Sequence, residues 1–179
     1  MGKLTIFLLI IIILGILSLL VFVIYSKLSY YFNKTSYVNK LIENDLDKKH
    51  SILIKINNQA KKTLHAKKDY LVDISKLNEN ELTNQEKDIK LTEYNTTVNN
   101  LLSDYTKLAN HKEIKKQVSN LHDIDEKLDA SKTYFNKYMV KLSESSVKFP
   151  ANIIAKVAKI KVIPLFETNE TIKKISEEL

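Results

Sequence analysis

Residues 112–149 read KEIKKQVSNLHDIDEKLDASKTYFNKYMVKLSESSVKF, and their apolar positions decide the fold. Ile114, Val118, Leu121, Leu128, Phe135, Met139 and Leu142 recur at separations of three, four or seven. That is one face of an amphipathic helix, in the heptad-like habit of helices that pack side by side as in a coiled coil. Charged and amide residues fill the remaining positions. A lone helix cannot bury so long a face, so partner helices are required.

The stretch before it supplies them. Leu28, Tyr31, Val38, Leu41, Ile42, Leu46, Leu53, Ile56, Ala60, Leu64, Leu71 and Ile74 keep similar steps and predict a first helix over residues 28–77. No glycine follows Gly15 and the only prolines are Pro150 and Pro164, so few breakers interrupt the chain. A break is marked by Asn78, Glu79, Asn80 and Glu81, after which Thr83 and Glu86 form a capping box for a second helix over 82–109. Its apolar residues are Ile89, Val98, Leu101, Leu102 and Tyr105, while Asn95, Thr96, Thr97, Asn99 and Asn100 lower its intrinsic propensity. Proline is accommodated in a helix's first turn, so a short helix over 150–159 follows, expected to fold Ile153, Ile154 and Val157 inward beside Phe149. The resulting expectation is an all-α protein. Its antiparallel four-helix bundle occupies 27–167, with helices 28–77, 82–109, 112–149 and 150–159, and a tail follows at 168–179.

Residues 1–26 form a separate segment. From Leu4 to Ser26 the chain reads LTIFLLIIIILGILSLLVFVIYS, 23 residues without a charge. At ~1.5 Å per residue a helix of this length covers roughly 34 Å, against a bilayer hydrocarbon core of about 30 Å. A secretory signal's apolar core is shorter, and no small-residue cleavage site follows, so a retained transmembrane anchor in contact with the lipid bilayer is expected. Before the span stand Lys3 and the amino terminus. After it Lys27, Lys34 and Lys40 precede the first acid, Glu43, a bias that places the bundle on the cytoplasmic side of the cell membrane.

Composition excludes several chemistries. Cysteine is absent, which removes disulfides, thiolate metal sites and cysteine nucleophiles. No glycine loop that could cradle a phosphate exists beyond Gly15. The net charge is +7, yet every basic residue is lysine, so the planar guanidinium fork is missing. Lysines spread among acids offer only non-specific attraction to phosphate, and nucleic acid is not an expected partner. Residues 26–76 hold 11 lysines against 5 acids, residues 77–147 hold 10 against 12, and residues 148–166 hold 4 lysines and no acid. The last segment is a basic amphipathic stretch of the kind that lies on membranes. With helix one running out, helix two returning and helix three going out again, however, Pro150 is expected far from the anchor. His111, His122 and Asp125 are the nearest approach to a metal-ligand set, without the tight pairing such sites use. The acidic cluster Asp123, Asp125, Glu126 and Asp129 lacks the glycine turn of a calcium loop. No catalytic residue, cofactor or small-molecule substrate is expected.

The last third of the chain resembles a known family. Tyr134, Phe135 and Asn136 are similar to its aromatic pair and asparagine. Phe149, Pro150, Ala151, Asn152, Ile153, Ile154 and Ala155 resemble its Phe-Pro-x-Asn-Leu-Ile-Ala box, and Phe166 with Glu167 its Phe-Phe-Glu ending. A weaker likeness covers Leu46 to Ile56. These are features of the LemA family, and the resemblance runs from the anchor to Glu167. It implies a bacterial membrane protein with a four-helix bundle and supplies no accepted biochemical activity. Ile54 stands where the family has proline, and Lys156 and Lys159 where it has glycines, which removes the usual basis for a bend in the first helix and for a tight turn near residue 159. The expected role is a membrane-tethered scaffold that binds protein partners or itself; the alternative is a hydrolase or metal-dependent enzyme with a site assembled inside the bundle.

Overall fold

The computed structural model describes residues 2–79 and 82–168; the tail beyond Thr168 and the break residues Asn80 and Glu81 lie outside them. The described residues are all-helical: α1 (Lys3–Leu64), a 3-10 turn (Ile74–Glu79), α2 (Asn84–Asp104), α3 (Thr106–Ala109), α4 (Lys112–Val147) and α5 (Ala151–Val157). The described residues divide into two compact units, residues 2–37 with 135–164 and residues 38–134 with 165–168, so that α1 and α4 each contribute to both.

In the larger unit the first helix does not run to residue 77. It stops at Leu64, where His65 takes up a left-handed φ of 52°. The amide of Ala66 then donates to the carbonyl of Lys61 at 3.0 Å, closing the helix end in a way usually reserved for glycine. Leu71, Ile74 and Leu77 are buried as a core stripe requires, but they come from an irregular segment that doubles back along α1. Two α1 side chains hold that segment. Buried Asn57 accepts from the amides of Tyr70 and Leu71 at 3.0 and 3.1 Å through Oδ1, and its Nδ2 donates to Asp69 at 2.8 Å. Buried His50 donates from Nε2 to the carbonyl of Ile74 at 2.6 Å.

The returning chain meets the start of α2 beside the early part of α1. Asn84 donates to the carbonyl of Asn39 at 3.2 Å, and Lys87 pairs with Asp47. Thr83 and Glu86 form the expected capping box, and the bond from the Thr83 amide holds the Glu86 carboxyl below its ordinary range. Because the return is made before α2 begins, α2 runs in the same sense as α1. Leu101, Leu108, Ala60 and Ile114 then close a core cluster around α3. From there α4 runs antiparallel to α1, pairing His111 with Gln59, Asp125 with Lys49 and Lys127 with Asp45 in descending order along α1.

In the smaller unit α4 remains antiparallel to α1. Tyr138 meets Tyr30 and Tyr31 with ring centroids 6.3 and 6.2 Å apart, and Leu28, Phe135, Met139 and Leu142 are buried. Residues 144–151 consequently lie beside Ile24, Lys27 and Leu28. The expectation that Pro150 sits far from the anchor is therefore wrong, and the cause is the reversal at His65. Helix α5 is also turned over relative to expectation. Ala151 and Ala155 are buried, while Phe149 is 80% exposed, Ile153 53% and Val157 79%. A tight turn closes α5 despite the missing glycine: Lys159 adopts φ 53°, and the Ile160 amide donates to the Ala155 carbonyl at 3.0 Å.

Two substitutions probe the reversal. Asn57→Ala leaves two backbone donors in a buried place without an acceptor and is expected to cost roughly 2–3 kcal/mol. His65→Gly releases the left-handed strain and is expected to stabilise by about 1 kcal/mol. Denaturant unfolding followed by circular dichroism reads both, and equal midpoints for the two variants would refute this account of the turn.

Candidate functional site

The larger unit carries a polar layer inside its helix packing. Asp45 is buried on α1 and receives Lys48 at 2.7 Å and Lys127 at 3.0 Å. Burial pushes its carboxyl upward, but the hydrogen bonds and charges of Lys48 and Lys127 outweigh that and hold it below the usual carboxylate range. One helical turn later, buried Lys49 pairs with Asp125 at 2.7 Å, and Asp125 also accepts from Asn95 at 2.7 Å. Buried Asp88 on α2 pairs with Lys132 at 3.0 Å. Apart from Asp45 with Lys48, which lies within α1, each pair joins two helices, so the layer fixes register across α1, α2 and α4. Beside it a groove of about 530 Å³ is lined by Asp47, Lys48, Ser51, Ile52, Asn120 and Asp123 among others. Its charges are of both signs and its one hydroxyl, that of Ser51, donates to the carbonyl of Asp47 at 2.9 Å.

His111, His122 and Asp125, the nearest approach to a metal-ligand set in the sequence, do not come together. His122 faces Glu126 at 3.2 Å on the exposed side of α4, Asp125 is committed to Lys49 and Asn95, and His111 meets Gln59 at 3.1 Å. Among the described residues no group of three histidine, aspartate or glutamate side chains converges on one point.

The box residues are divided in their surroundings. Phe149, Ile153 and Glu167 are exposed, Pro150, Asn152 and Ile154 are half-buried, and Ala155 and Phe166 are buried. Asn152 turns its Oδ1 onto the Ile153 amide at 2.8 Å. Phe149 and Pro150 line a groove of about 330 Å³ with Ile24, Lys27, Leu28 and Lys148. Sequence reasoning missed the aromatic and basic surface that continues along this unit. There Tyr30, Tyr31 and Tyr138 form one ring cluster, with Lys34 5.8 Å from the centre of the Tyr30 ring and Lys141 5.6 Å from that of Tyr138. The available signal was Tyr25, Tyr30 and Tyr31 standing directly at the end of the apolar run, where interfacial aromatics gather.

The box at the end of α4 and the all-helical architecture agree with a comparison against known families, in which the LemA family model matches residues 39–177. The chain belongs to the LemA family. Comparisons with curated proteins and with solved structures give no match. The LemA match begins within α1 after the apolar run and takes in the polar layer, α4 and the box. LemA membership therefore rests on the helical bundle, and the apolar run lies before the matched residues.

Two measurements follow. Phe135 is fully buried in the same unit in which Phe149 is exposed. Phe135→Ala is expected to cost about 3–5 kcal/mol, and Phe149→Ala to stay within about 0.5 kcal/mol of the parent in a thermal or denaturant melt. Comparable losses for both would place Phe149 in the core. The lowered Asp45 carboxyl predicts acid sensitivity of defined sign. Its stabilisation is complete above the unfolded-state value near pH ~4 and is lost as the pH falls through the lower folded-state value. The stability difference between the parent and Asp45→Asn should be constant above about pH 5 and shrink below about pH 4; a difference that grows on acidification would contradict the assignment.

Proposed function

We propose that this LemA-family chain is a single-pass membrane protein, spanning the bilayer with residues 4–26, whose bundle acts as a scaffold for protein partners on the cytoplasmic side of a bacterial membrane. One observation carries the reading. The large apolar side chains from Leu4 to Val23 are 44–75% exposed, and they belong to the same uninterrupted helix, α1, that forms part of the bundle. A water-soluble monomer does not leave so large a contiguous apolar surface uncovered, whereas hydrocarbon solvates it. The cytoplasmic assignment is supported by Lys27, Lys34 and Lys40 following the span. The scaffold reading is supported by the bundle's construction. Its polar groups are spent on joining helices, and apolar side chains such as Val72, Ile89 and Tyr105 remain exposed on the larger unit. The enzyme alternative is not favoured, because His111, His122 and Asp125 are held by different partners.

In cell fractionation the full-length chain is expected to stay with membranes through alkaline carbonate, because the span contributes far more than lysine contacts could. A photocrosslinking side chain placed at Val72 or Ile89 in intact cells is expected to give discrete adducts with other proteins. Release by carbonate would remove the anchor, and crosslinking at neither position would remove the scaffold role while leaving the anchor intact.

A further inference from the structure

The apolar run ends at Ser26, and the side chains beside that end come from the other extremity of the fold. Ile24, Lys27 and Leu28 share a groove with Lys148, Phe149 and Pro150. A helix of 23 residues at ~1.5 Å each slightly exceeds a hydrocarbon core of about 30 Å, so Ile24 to Leu28 fall at its boundary with the headgroups. Whatever surrounds that boundary also surrounds Phe149. Here the chain does the opposite of what water favours: α5 turns Ala151 and Ala155 inward and Ile153 and Val157 outward, and Val147 at the end of α4 and Phe149 in the link are also outward, all four more than half exposed. Exposed Lys148, Lys156, Lys159 and Lys161 are interleaved with them, and no acid occurs from residue 148 to residue 166.

We propose that residues 147–162 are a second membrane contact. Phe149, Ile153 and Val157 enter the headgroup–acyl boundary of the leaflet at the Ser26 end of the span, and the lysines bind the phosphates of anionic lipids. The proposal rests on residues 4–26 spanning the same bilayer. Three features select lipid over a protein partner as the occupant. The patch lies level with the end of the span, residues 147–162 carry only positive charge, as an anionic leaflet requires, with Glu144 the one acid lining the adjoining groove, and it continues into tyrosines capped by lysines, Tyr30 with Lys34 and Tyr138 with Lys141, the composition of an interfacial belt. A short helix with Ile153 and Val157 on the face opposite its packed alanines, flanked by lysines on both sides, suits an element lying in the interface.

The chain has no tryptophan, so a single introduced indole reports on one site. Full-length F149W is reconstituted in vesicles with brominated acyl chains, made either of phosphatidylcholine alone or of equal parts phosphatidylcholine and phosphatidylglycerol. L14W serves as the span probe. The expected result is strong quenching of L14W in both vesicles, with F149W emission blue-shifted and quenched about threefold more in the anionic vesicles than in the neutral ones. Adding K148E, K156E, K159E and K161E to F149W should abolish that difference. Quenched L14W with F149W unquenched and open to acrylamide would overturn the docking element and leave the anchor standing. Unquenched L14W would overturn the anchor and the docking element together. An F149W emission shielded from acrylamide yet unquenched by bromolipid would mean that protein, such as a second copy, covers the patch, and would also overturn it.

Discussion

The reversal at His65 governs the topology that follows. A chain without glycine beyond Gly15 has only ordinary residues to place in the left-handed region, and it places His65 and Lys159 there just past α1 and α5, each at a conformational cost of about 1 kcal/mol or more. At His65 the compensation comes from α1 itself, where Asn57 and His50 accept from and donate to the backbone of the returning segment. This segment travels back along α1 without being a bundle helix. It therefore uses up one crossing, and α2 starts again beside Asn39 and Asp47. The sense of α4 follows from that, as does the arrival of Phe149 beside Ile24 and Leu28.

The parts of the fold legible in the sequence were those written in periodicity. Ile42, Leu46, Leu53, Ile56 and Ala60 on α1 and Ile114, Leu121, Leu128, Phe135, Met139 and Leu142 on α4 are all buried as their spacing implies. Leu71 and Ile74 show how the same signal misleads. Burial was read correctly and helicity was not, because a segment laid against a helix can continue the apolar pattern while its backbone is satisfied by side chains. Nothing in a periodicity marks Asn57 as a backbone acceptor 13 and 14 residues downstream. In α2 the buried Leu91 was passed over and the exposed Ile89 chosen, a shift of two positions in a helix whose apolar face is short.

For α5 the failure has a different origin. Phe149, Ile153 and Val157 were assigned to the core because large apolar side chains are ordinarily inside, a rule that presumes water outside. Beside a span whose own apolar residues are uncovered, that presumption lapses. Small residues serve packing there, with Ala151 and Ala155 buried, and the large ones stay outside, where the proposed membrane contact would use them. The sequence held one hint, the acid-free basic stretch from residue 148 to residue 166. The distance argument against a membrane role for the basic stretch fails because α1 ends at Leu64.

The restriction to lysine bears on what the surface can recognise. Guanidinium would grip a single phosphate or carboxylate with two parallel bonds and so distinguish headgroups by shape. An ammonium on a flexible stem is closer to a point charge, able to lay its methylenes along apolar surface while its head stays in water. Lys148, Lys156, Lys159 and Lys161 are thus suited to a surface whose phosphates are mobile and unregistered, where attraction depends on the density of negative charge and fades within a Debye length. Inside the larger unit the same residue type does something else. Lys49 is buried, and its ammonium is fixed by Asp125 from α4, with Asn95 from α2 completing the carboxylate's contacts. What separates this use from the proposed membrane contact is the partner: a carboxylate fixed in the fold turns lysine into a register pin, whereas a fluid anionic surface would make it a counterion.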